Sequence, residues 1–290
     1  MKYIDRNGRV KSEETTQDRM LSWLYSHRIG REMLKFLVRP GLSKAGGWFL
    51  ERPWSKVLIA PFVRKNQIDM TCYQEQEYRS YNDFFTRKIK PQYRPWEGSE
   101  KTLVCPCDGK LSVYPISQKG GTESSFCIKN TFYTVSSLLQ SDKLAERYEG
   151  GWACVFRLTV DDYHRYCYID DGKKSKNHRI PGVFHTVNPA AGDVLPIYKE
   201  NTREYSLLKS RHFKTVVMME VGALMVGRIT NYHGACPVKR GQEKGRFEFG
   251  GSTVVLLFQD GAVSIDDRLI HNTEKGYETI VKMGERIGEA

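Results

Sequence analysis

Two patterns of hydrophobic and polar positions divide the chain. Over residues 17–38, apolar side chains recur at roughly helical spacing with basic residues among them, and Pro40-Gly41 predicts the end of that helix. From about residue 102, short β-rich runs separated by turn residues replace this pattern. Many short strands with turn signals predict an antiparallel sandwich or barrel-like domain. We therefore expect an α+β protein, helical over residues 1–100 and predominantly antiparallel β over residues 101–290.

The β-rich part contains seven runs with strand character and one stretch with helix character. The helix is expected over residues 136–148. The strands are expected at 110–116, 152–160, 182–187, 213–221, 224–230, 253–258 and 262–265.

The front of the chain is basic and aromatic. Residues 1–65 hold fourteen Lys/Arg against six Asp/Glu, a balance of +8 within a total of +11, and three of the five tryptophans. Basic residues alternating with Trp, Phe and Leu are typical of a helix that lies in a lipid headgroup layer. The alternative is that these helices pack on the core and the charges form a solvated face. No nucleic-acid recognition module is visible, so no nucleic-acid partner is expected.

Targeting signals and cysteine usage restrict the setting. No apolar run approaches 18 residues, and the first twenty residues are polar with mixed charge, which predicts neither a transmembrane helix nor a signal peptide. We expect a peripheral protein on the cytoplasmic face of the cell membrane. Seven cysteines without a CxxC pair predict reduced thiols, with no disulfide framework and no metal site.

A Gly-Gly-Ser-Thr sequence, residues 250–253, precedes the apolar run that ends at Phe258. Glycine lets the backbone bend and lets another group approach closely. A serine at such a bend can aim its Oγ at the preceding carbonyl group. The pattern alone fits either a tight turn into a core strand or an N→O acyl shift in which Ser252 attacks Gly251.

Three further clusters carry reactive side chains. Asp108-Gly109 precedes a strand and is by itself most simply a turn. Residues 161–167, Asp-Asp-Tyr-His-Arg-Tyr-Cys, follow a strong strand and combine acid, imidazole, guanidinium and thiol. His185 lies in a third cluster, whereas the histidines without comparable context are expected at the surface or in packing contacts: His27, His178, His212, His233 and His271. An aspartate, a histidine and a serine at separate strand ends could form a nucleophile and base set.

Together these motifs resemble the phosphatidylserine decarboxylases. The resemblance rests on residues 241–253, which are similar to the family's processing site. Further matching motifs follow in the family's order: 81–87, Asp108-Gly109, 162–165, 181–188 and 221–229. The basic front segment is also similar to the family's membrane-associating region.

The resemblance implies a prosthetic group made from the chain itself. Ser252 would attack the Gly251 carbonyl group, elimination would release the upstream chain, and the residue left behind would become a pyruvoyl group. This cofactor acts as an electron sink when CO₂ leaves the lipid. Asp108 and Ser252 match the family's cleavage set directly, and phosphatidylserine in an anionic membrane surface is the implied partner. The oligomeric state, including a homo-oligomer, is left open.

The histidine of the cleavage set departs from the family pattern. Family members commonly carry a second histidine three residues after the one that corresponds to His164, and this chain has Cys167 there. A thiol with a pKa near 8.5 is a poor base unless its surroundings lower that value. Either Cys167 acts as a thiolate, or His164 or His185 replaces the missing base, or maturation is slow or absent. We favour His164.

The sequence thus predicts pyruvoyl-dependent decarboxylation of phosphatidylserine to phosphatidylethanolamine after self-cleavage between Gly251 and Ser252. Two alternatives differ in substrate or in class. One is a related pyruvoyl decarboxylase that acts on another serine-bearing substrate, and the other is a lipid-binding relative that does not process itself.

Overall fold

The structure is a computed structural model that describes residues 2–12, 23–25, 27, 29–30, 32–33, 40–117, 124–128, 131–186, 197–223, 228–248 and 252–290. Most of the helix expected over 17–38 lies outside these residues. Gly251, the residue on the upstream side of the expected cleavage point, also lies outside them.

The described part of the chain forms nineteen strands. They are β1 (Lys2–Ile4), β2 (Val10–Ser12), β3 (Thr102–Val104), β4 (Gly109–Pro115), β5 (Ser125–Ile128), β6 (Thr131–Thr134), β7 (Trp152–Leu158), β8 (Arg165–Cys167), β9 (Gly172–Lys174), β10 (His178–Ile180), β11 (Arg203–Ser210), β12 (Thr215–Val221), β13 (Arg228–Asn231), β14 (Cys236–Val238), β15 (Glu243–Glu248), β16 (Ser252–Phe258), β17 (Ser264–Ile265), β18 (Glu278–Val281) and β19 (Arg286–Glu289).

Short helices connect and flank the strands. The α-helices of the described residues are α1 (Pro40–Leu50), α2 (Ile59–Lys65), α3 (Tyr81–Phe85), α4 (Val135–Leu139), α5 (Asp142–Ala145), α6 (Ile197–Glu200) and α7 (Asp267–Glu274). Short 3₁₀-helices occupy Pro53–Leu58, Met70–Cys72, Pro91–Tyr93 and Glu146–Tyr148. No helix among the described residues is long and apolar enough to cross a bilayer.

One large sheet organises the molecule. Its strands lie in the order β14-β9-β11-β12-β16-β7-β4-β18-β1-β2, and β10 pairs with β11 at the side. All of these pairs are antiparallel except β1 with β18. Smaller sheets are β13-β15-β8, β17-β19-β3 and β5-β6. The protein is therefore mixed α and β with mostly antiparallel sheets, as expected, but none of the sheets closes into a barrel.

The central strands β7 and β16 have apolar side chains on both faces, so both faces of the sheet are covered. Phe156 and Leu256 pack on one face and Val155 and Leu257 on the other, as the period-2 alternation of a strand requires. The small sheet β13-β15-β8 contributes Tyr166 and Phe247 to the first of these cores. This double burial explains the continuous apolar run that marked β16 in the sequence.

Two local predictions were wrong. Residues 182–186 form no strand. Val183 makes only an isolated bridge with Asn201, and a Cβ at Gly182 would lie 2.2 Å from the Glu200 carbonyl oxygen. The helix expected over 136–148 is broken, because Gln140 ends α4 in a left-handed conformation with φ 52° and Ser141 caps α5. Close backbone contact and local turn chemistry overrode the hydrophobic pattern in these two places.

The front of the chain is not helical throughout. β1 pairs with β18, near the C-terminus, and so joins the large sheet. The helical residues of this region include α1 and α2. A division at residue 100 and a membrane-associating role for the front segment stay predictions.

Candidate active site

Three adjacent strands bring the candidate residues to one end of the large sheet. Ser252, the first residue of β16, lies opposite Leu158, the last residue of β7. On the other side of β7, Lys110 lies opposite Arg157, so Gly109 falls beside Leu158. Two strand spacings separate Gly109 from Ser252 by about 10 Å. The predicted processing serine and the Asp108-Gly109 turn therefore share one sheet edge.

Glycine is required next to Asp108. A Cβ at Gly109 would lie 2.9 Å from the Arg157 carbonyl oxygen, and the residue has φ +153°. The close approach of β4 to β7 fixes where Asp108 leaves the sheet.

Ser252 is fully buried, and its hydroxyl group is unsatisfied. Its relative exposure is 0%, and Oγ has no hydrogen-bond partner in the described part of the chain. Most buried hydroxyl groups are hydrogen-bonded, because an unsatisfied one costs about 1–3 kcal/mol. The strand pairing with Leu158 fixes the backbone, so the free hydroxyl group is held in a defined place.

His164 has a second unsatisfied atom. Its Nδ1 bonds the backbone oxygen of Asp162 at 2.9 Å, whereas its buried Nε2 has no partner among the described residues. The Phe85 ring lies 4.3 Å from the imidazole, centroid to centroid. Burial lowers the pKa of His164 from 6.5 to about 4, although Asp162 opposes that shift. The imidazole is therefore neutral at pH 7.

The loop that carries His164 starts at the same sheet edge. It follows β7 directly, and the His164 carbonyl oxygen accepts a hydrogen bond from the backbone nitrogen of Phe247 at 2.9 Å. Phe247 lies in β15, which ends at Glu248, four residues before Ser252. His164 is thus tied to the strand upstream of the cleavage point. No hydrogen bond joins its ring to Ser252 among the described residues.

Asp108 is bound to other groups. Arg94 holds both carboxylate oxygens, with Nε donating to Oδ1 at 2.8 Å and Nη2 donating to Oδ2. The backbone nitrogen of Met283 also donates to Oδ1, at 2.9 Å. The structure therefore places Asp108 next to the sheet edge that carries Ser252 but shows no hydrogen bond from it to His164 or Ser252.

Cys167 is a poor candidate base. Burial raises the pKa of its thiol to about 12, with the charge of Glu243 acting in the same direction. Its Sγ lies 3.5 Å from the Met283 sulfur, and its backbone nitrogen bonds the Pro106 carbonyl oxygen. Met283 thus touches both Cys167 and Asp108. A thiol with this pKa is almost entirely protonated at pH 7, which weighs against the thiolate hypothesis.

His185 occupies a separate pocket. Its Nδ1 lies 3.3 Å from the Tyr25 hydroxyl group and its Nε2 lies 3.4 Å from Glu200. Asn201 accepts from the His185 backbone nitrogen and donates to the Gly222 carbonyl oxygen, so this pocket borders the end of β12. No described contact links His185 to Asp108, His164 or Ser252.

Sequence reasoning gave no role to two groups that support the candidate residues, the Lys110–Asp162 ion pair and Arg94. Lys110 donates to Asp162 at 2.7 Å, and Thr159 donates to the same carboxylate through its backbone nitrogen and its hydroxyl group. Burial raises the pKa of Asp162, but the charge and hydrogen bond of Lys110 outweigh it and leave the pKa lowered. The second group is Arg94. Its only sequence signal was a position in a proline-punctuated passage, whereas Asp162 stood inside a predicted cluster.

Comparisons with known proteins identify the family of the chain. Residues 81–289 match the family described as phosphatidylserine decarboxylase. A phosphatidylserine decarboxylase proenzyme 2 of Clostridium acetobutylicum is 44% identical over 278 residues, covering 96% of this chain and 94% of the relative. The corresponding proenzyme of Ruminiclostridium cellulolyticum is 40% identical over 291 residues, with 99% and 96% covered. That of Desulfitobacterium hafniense is 37% identical over 294 residues, with 99% and 98% covered.

Proposed function

The chain belongs to the phosphatidylserine decarboxylase family and is an enzyme of that activity, and we propose that it acts through a pyruvoyl group made from its own Ser252. Its relatives are named proenzymes, which implies a processing step before activity. The product of the decarboxylation is phosphatidylethanolamine.

One observation carries the proposed processing step. Ser252 Oγ is buried, lacks a described hydrogen-bond partner and lies at the first residue of a strand that is paired on both sides. A hydroxyl group that is neither solvated nor bonded is available to attack a neighbouring carbonyl group. The sequence places two glycines before Ser252, and glycine has no Cβ that could hinder such an attack.

The proposed cleavage proceeds in three steps, an acyl shift, an elimination and a hydrolysis. Attack of Ser252 Oγ on the Gly251 carbonyl carbon forms an ester bond and breaks the peptide C–N bond, while the hydroxyl proton passes to a base and then to the freed amine. Removal of the Ser252 α-proton breaks the Cβ–O bond and releases residues 1–251 as a carboxylate. Water then hydrolyses the dehydroalanine, releasing ammonia and leaving the pyruvoyl group.

His164 is the base that the geometry favours. It is neutral, its Nε2 is unsatisfied, and its backbone is bonded to β15 upstream of the cleavage point. Asp162 holds Nδ1 through its backbone oxygen, which fixes the proton on Nδ1 and leaves Nε2 as the acceptor. Asp108 contributes a negative charge at the same edge, held by Arg94.

The residues at the sheet edge fit a pyruvoyl group. Once formed, the group supplies an electron sink for the charge left when CO₂ departs. Ser252 has 0% exposure, and the low dielectric of such a buried position strengthens electrostatic interactions with the reacting atoms.

Denaturing electrophoresis of freshly translated protein tests the proposal. The 33.5 kDa chain should disappear and yield a C-terminal piece of 39 residues, about 4.5 kDa by its share of the length. Mass spectrometry should find a pyruvoyl group at the first residue of that piece. A free amino-terminal serine there would refute the mechanism, and a permanent single band would favour the lipid-binding relative that does not process itself.

Two serine variants make a matched pair for the same assay. Ser252→Ala should leave one uncut, inactive chain. Ser206→Ala is the control, because Ser206 is also fully buried in the large sheet with an unsatisfied hydroxyl group but lies in β11. It should mature at the normal rate. The mature enzyme should release CO₂ from phosphatidylserine and not from free serine, and the reverse would support the alternative substrate.

We further propose that the enzyme works as a peripheral protein on an anionic membrane surface at the cytoplasmic face. The support is an exposed aromatic surface at the front of the chain, formed by Trp48, Phe49, Trp54, Val57 and Leu58. The Trp48 and Trp54 rings lie 6.2 Å apart, and the Arg52 guanidinium group stacks 4.4 Å from the Trp48 ring. Aromatic and aliphatic groups with adjacent cations suit a headgroup layer.

Vesicle sedimentation tests the membrane proposal. Binding to phosphatidylglycerol vesicles should weaken partly as salt rises, because the charge contribution is screened while apolar burial remains. Trp48→Ala combined with Trp54→Ala should weaken it strongly, whereas Tyr93→Ala, at a 40% exposed aromatic residue outside this surface, should not. Equal binding to neutral phosphatidylcholine vesicles, or binding to neither, would contradict the proposal.

A further inference from the structure

A buried ion pair connects β15, the strand before the proposed cleavage point, with β12, which pairs with the strand after it. Glu220 lies in β12 and Lys244 in β15, both side chains are 0% exposed, and Nζ of Lys244 donates to Oε2 of Glu220 at 2.7 Å. The mechanism described above uses neither residue. Buried charges are expensive to keep, so a pair this deep calls for a specific explanation.

Each residue of the ion pair is connected to one side of the scissile bond, Glu220 by strand pairing and Lys244 along the chain. Glu220 lies opposite Val254 in β16, two residues after Ser252. Lys244 lies in β15, whose last residue, Glu248, comes three residues before Gly251. The pair therefore joins the strand bonded to the downstream side with the strand that carries the upstream side.

A β-bulge directs Lys244 towards this contact. Along the pairing of β15 with β8, Glu243 lies opposite Cys167 and Gly245 lies opposite Tyr166, so Lys244 is the extra residue. Bulges re-aim side chains and are common beside active sites. The Lys244 side chain leaves the small sheet at this bulge and reaches the large one.

Asn231 of β13 orients both charges. Its Oδ1 accepts from Lys244 at 2.8 Å and its Nδ2 donates to Glu220 at 3.0 Å and to Glu204 at 2.7 Å. The ammonium group also lies 5.5 Å from the Tyr166 ring centroid. Four strands of the two sheets, β11, β12, β13 and β15, thus meet at one polar contact whose two central charged groups are fully buried.

We propose that the Glu220–Lys244 pair is a positioning device that holds β15 in register with the paired strands β12 and β16, and so positions the Ser252 hydroxyl group for self-cleavage. The inference rests on the proposed self-cleavage. Misplacement of reacting atoms by about 1 Å can cost 100-fold in rate, so the loss of a cross-link between β12 and β15 is expected to slow the reaction. An apolar pair of similar size would preserve the packing but not the directional hydrogen bonds.

The central test separates positioning from stability. The double variant Glu220→Leu with Lys244→Met should fold with nearly unchanged thermal stability, measured in the Ser252→Ala background so that every protein is uncut. With Ser252 restored, it should cleave at least about tenfold more slowly than the parent chain. Cleavage at the parent rate by the folded double variant would overturn the proposal.

Two further variants keep the test decisive. Asn231→Ala leaves both charges in place but removes the hydrogen bonds that orient them, so it should cleave several-fold more slowly than the parent chain. If the double variant does not fold, a normal cleavage rate of Asn231→Ala would overturn the proposal instead. Asp170→Asn removes a buried carboxylate at the opposite end of the sheet. It should lose stability and cleave normally, and an equal slowing would show that cleavage only follows stability. A parent chain that never cleaves would instead refute the proposed function.

Discussion

The two ends of the large sheet each carry a serine, a histidine and an aspartate, but among the described residues only one end has a serine hydroxyl group and a histidine ring with a buried unsatisfied atom. At the β11–β12 turn, Ser210 Oγ donates to the Asp170 carboxylate, and His212 contributes its backbone nitrogen at 2.9 Å and its Nδ1 at 3.1 Å. At the other end, Ser252 Oγ and His164 Nε2 have no described partner.

This contrast shows that residue type alone does not identify reactive groups. The Asp170 cluster closes a turn, because each of its groups satisfies another and Ser210 also accepts from the backbone nitrogen of Phe213 at 2.8 Å. A serine that already donates to a carboxylate, and a histidine whose Nδ1 meets the same carboxylate, form a structural turn. Unsatisfied buried atoms are costly, and the Ser252 end has two of them on groups that can exchange a proton, a hydroxyl group and an imidazole, which supports the proposed chemistry there.

The largest expected difference between the two ends concerns the histidines. His164→Ala should slow self-cleavage by about 100-fold or more, since a positioned general base contributes 100- to 10,000-fold. His212→Ala should leave the rate unchanged. The rate of loss of the full-length band measures both. If His164→Ala cleaves normally, the base is a different residue, and His185→Ala is the next variant to measure.

The aspartates give a smaller expected difference. Asp108→Asn should slow cleavage by about tenfold, because it removes a charge from the reacting edge and leaves Arg94 without its partner. Asp170→Asn should reduce the free energy of unfolding by about 1–3 kcal/mol without changing cleavage. Cleavage time courses and urea unfolding provide the two readouts. Normal maturation of Asp108→Asn would mean that this carboxylate only anchors Arg94 and the turn.

The lowered pKa of His164 predicts a pH dependence of stability. Below pH 6.5 the unfolded chain binds a proton on this residue, whereas the folded chain stays neutral until about pH 4. The contribution of neutral His164 to the free energy of unfolding is therefore fully present above pH 6.5. It is lost as pH falls from 6.5 towards 4, and the total loss is about 3 kcal/mol. Urea unfolding of the Ser252→Ala chain should show this loss, and adding His164→Gln should remove it. Identical pH profiles with and without His164 would contradict the lowered pKa.

The smallest expected effect belongs to Cys167. Cys167→Ser should cleave at nearly the normal rate, because a thiol with a pKa of about 12 is not a thiolate at pH 7. Cys167→His should speed maturation, because it adds a base that titrates near neutral pH. The new imidazole would lie close to Asp108, since Met283 contacts both Cys167 and Asp108. Both rates come from the same translation assay. Loss of cleavage in Cys167→Ser would restore the thiolate hypothesis.

The sequence predicted the central strands well because their burial leaves a strong local pattern. The runs expected at 152–160 and 253–258 correspond to β7 and β16, the two strands that carry the site edge. The strand prediction at 182–187 was wrong because Gly182 is constrained by a contact with Glu200, eighteen residues away. The helix prediction over 136–148 was wrong because one left-handed residue, Gln140, interrupts the helix without changing the hydrophobic pattern.

The members of the candidate site could be proposed from the sequence, but their contacts could not. Asp108, His164 and Ser252 each followed from a motif, and the structure places Asp108, Ser252 and the start of the loop that carries His164 at one edge of the large sheet. Their partners come from distant segments, as in the bond from Met283 to Asp108 across 175 positions. The contact between Lys244 and Glu220 depends on a bulge that no local pattern shows. Hydrophobic periodicity records which side of a strand is buried, and it does not record what lies opposite.

The position of β16 between β12 and β7 affects whether the processed enzyme can refold after denaturation. The proposed cut would leave a 39-residue piece that holds this central strand and also β17, β18 and β19, so this piece would be interleaved with the larger one at several points. Once the peptide bond is cut, denaturation separates two molecules, and reassembly becomes a second-order reaction that weakens with dilution. Folding must therefore be completed before the cut, and a mature enzyme that unfolds in dilute solution has no efficient way back.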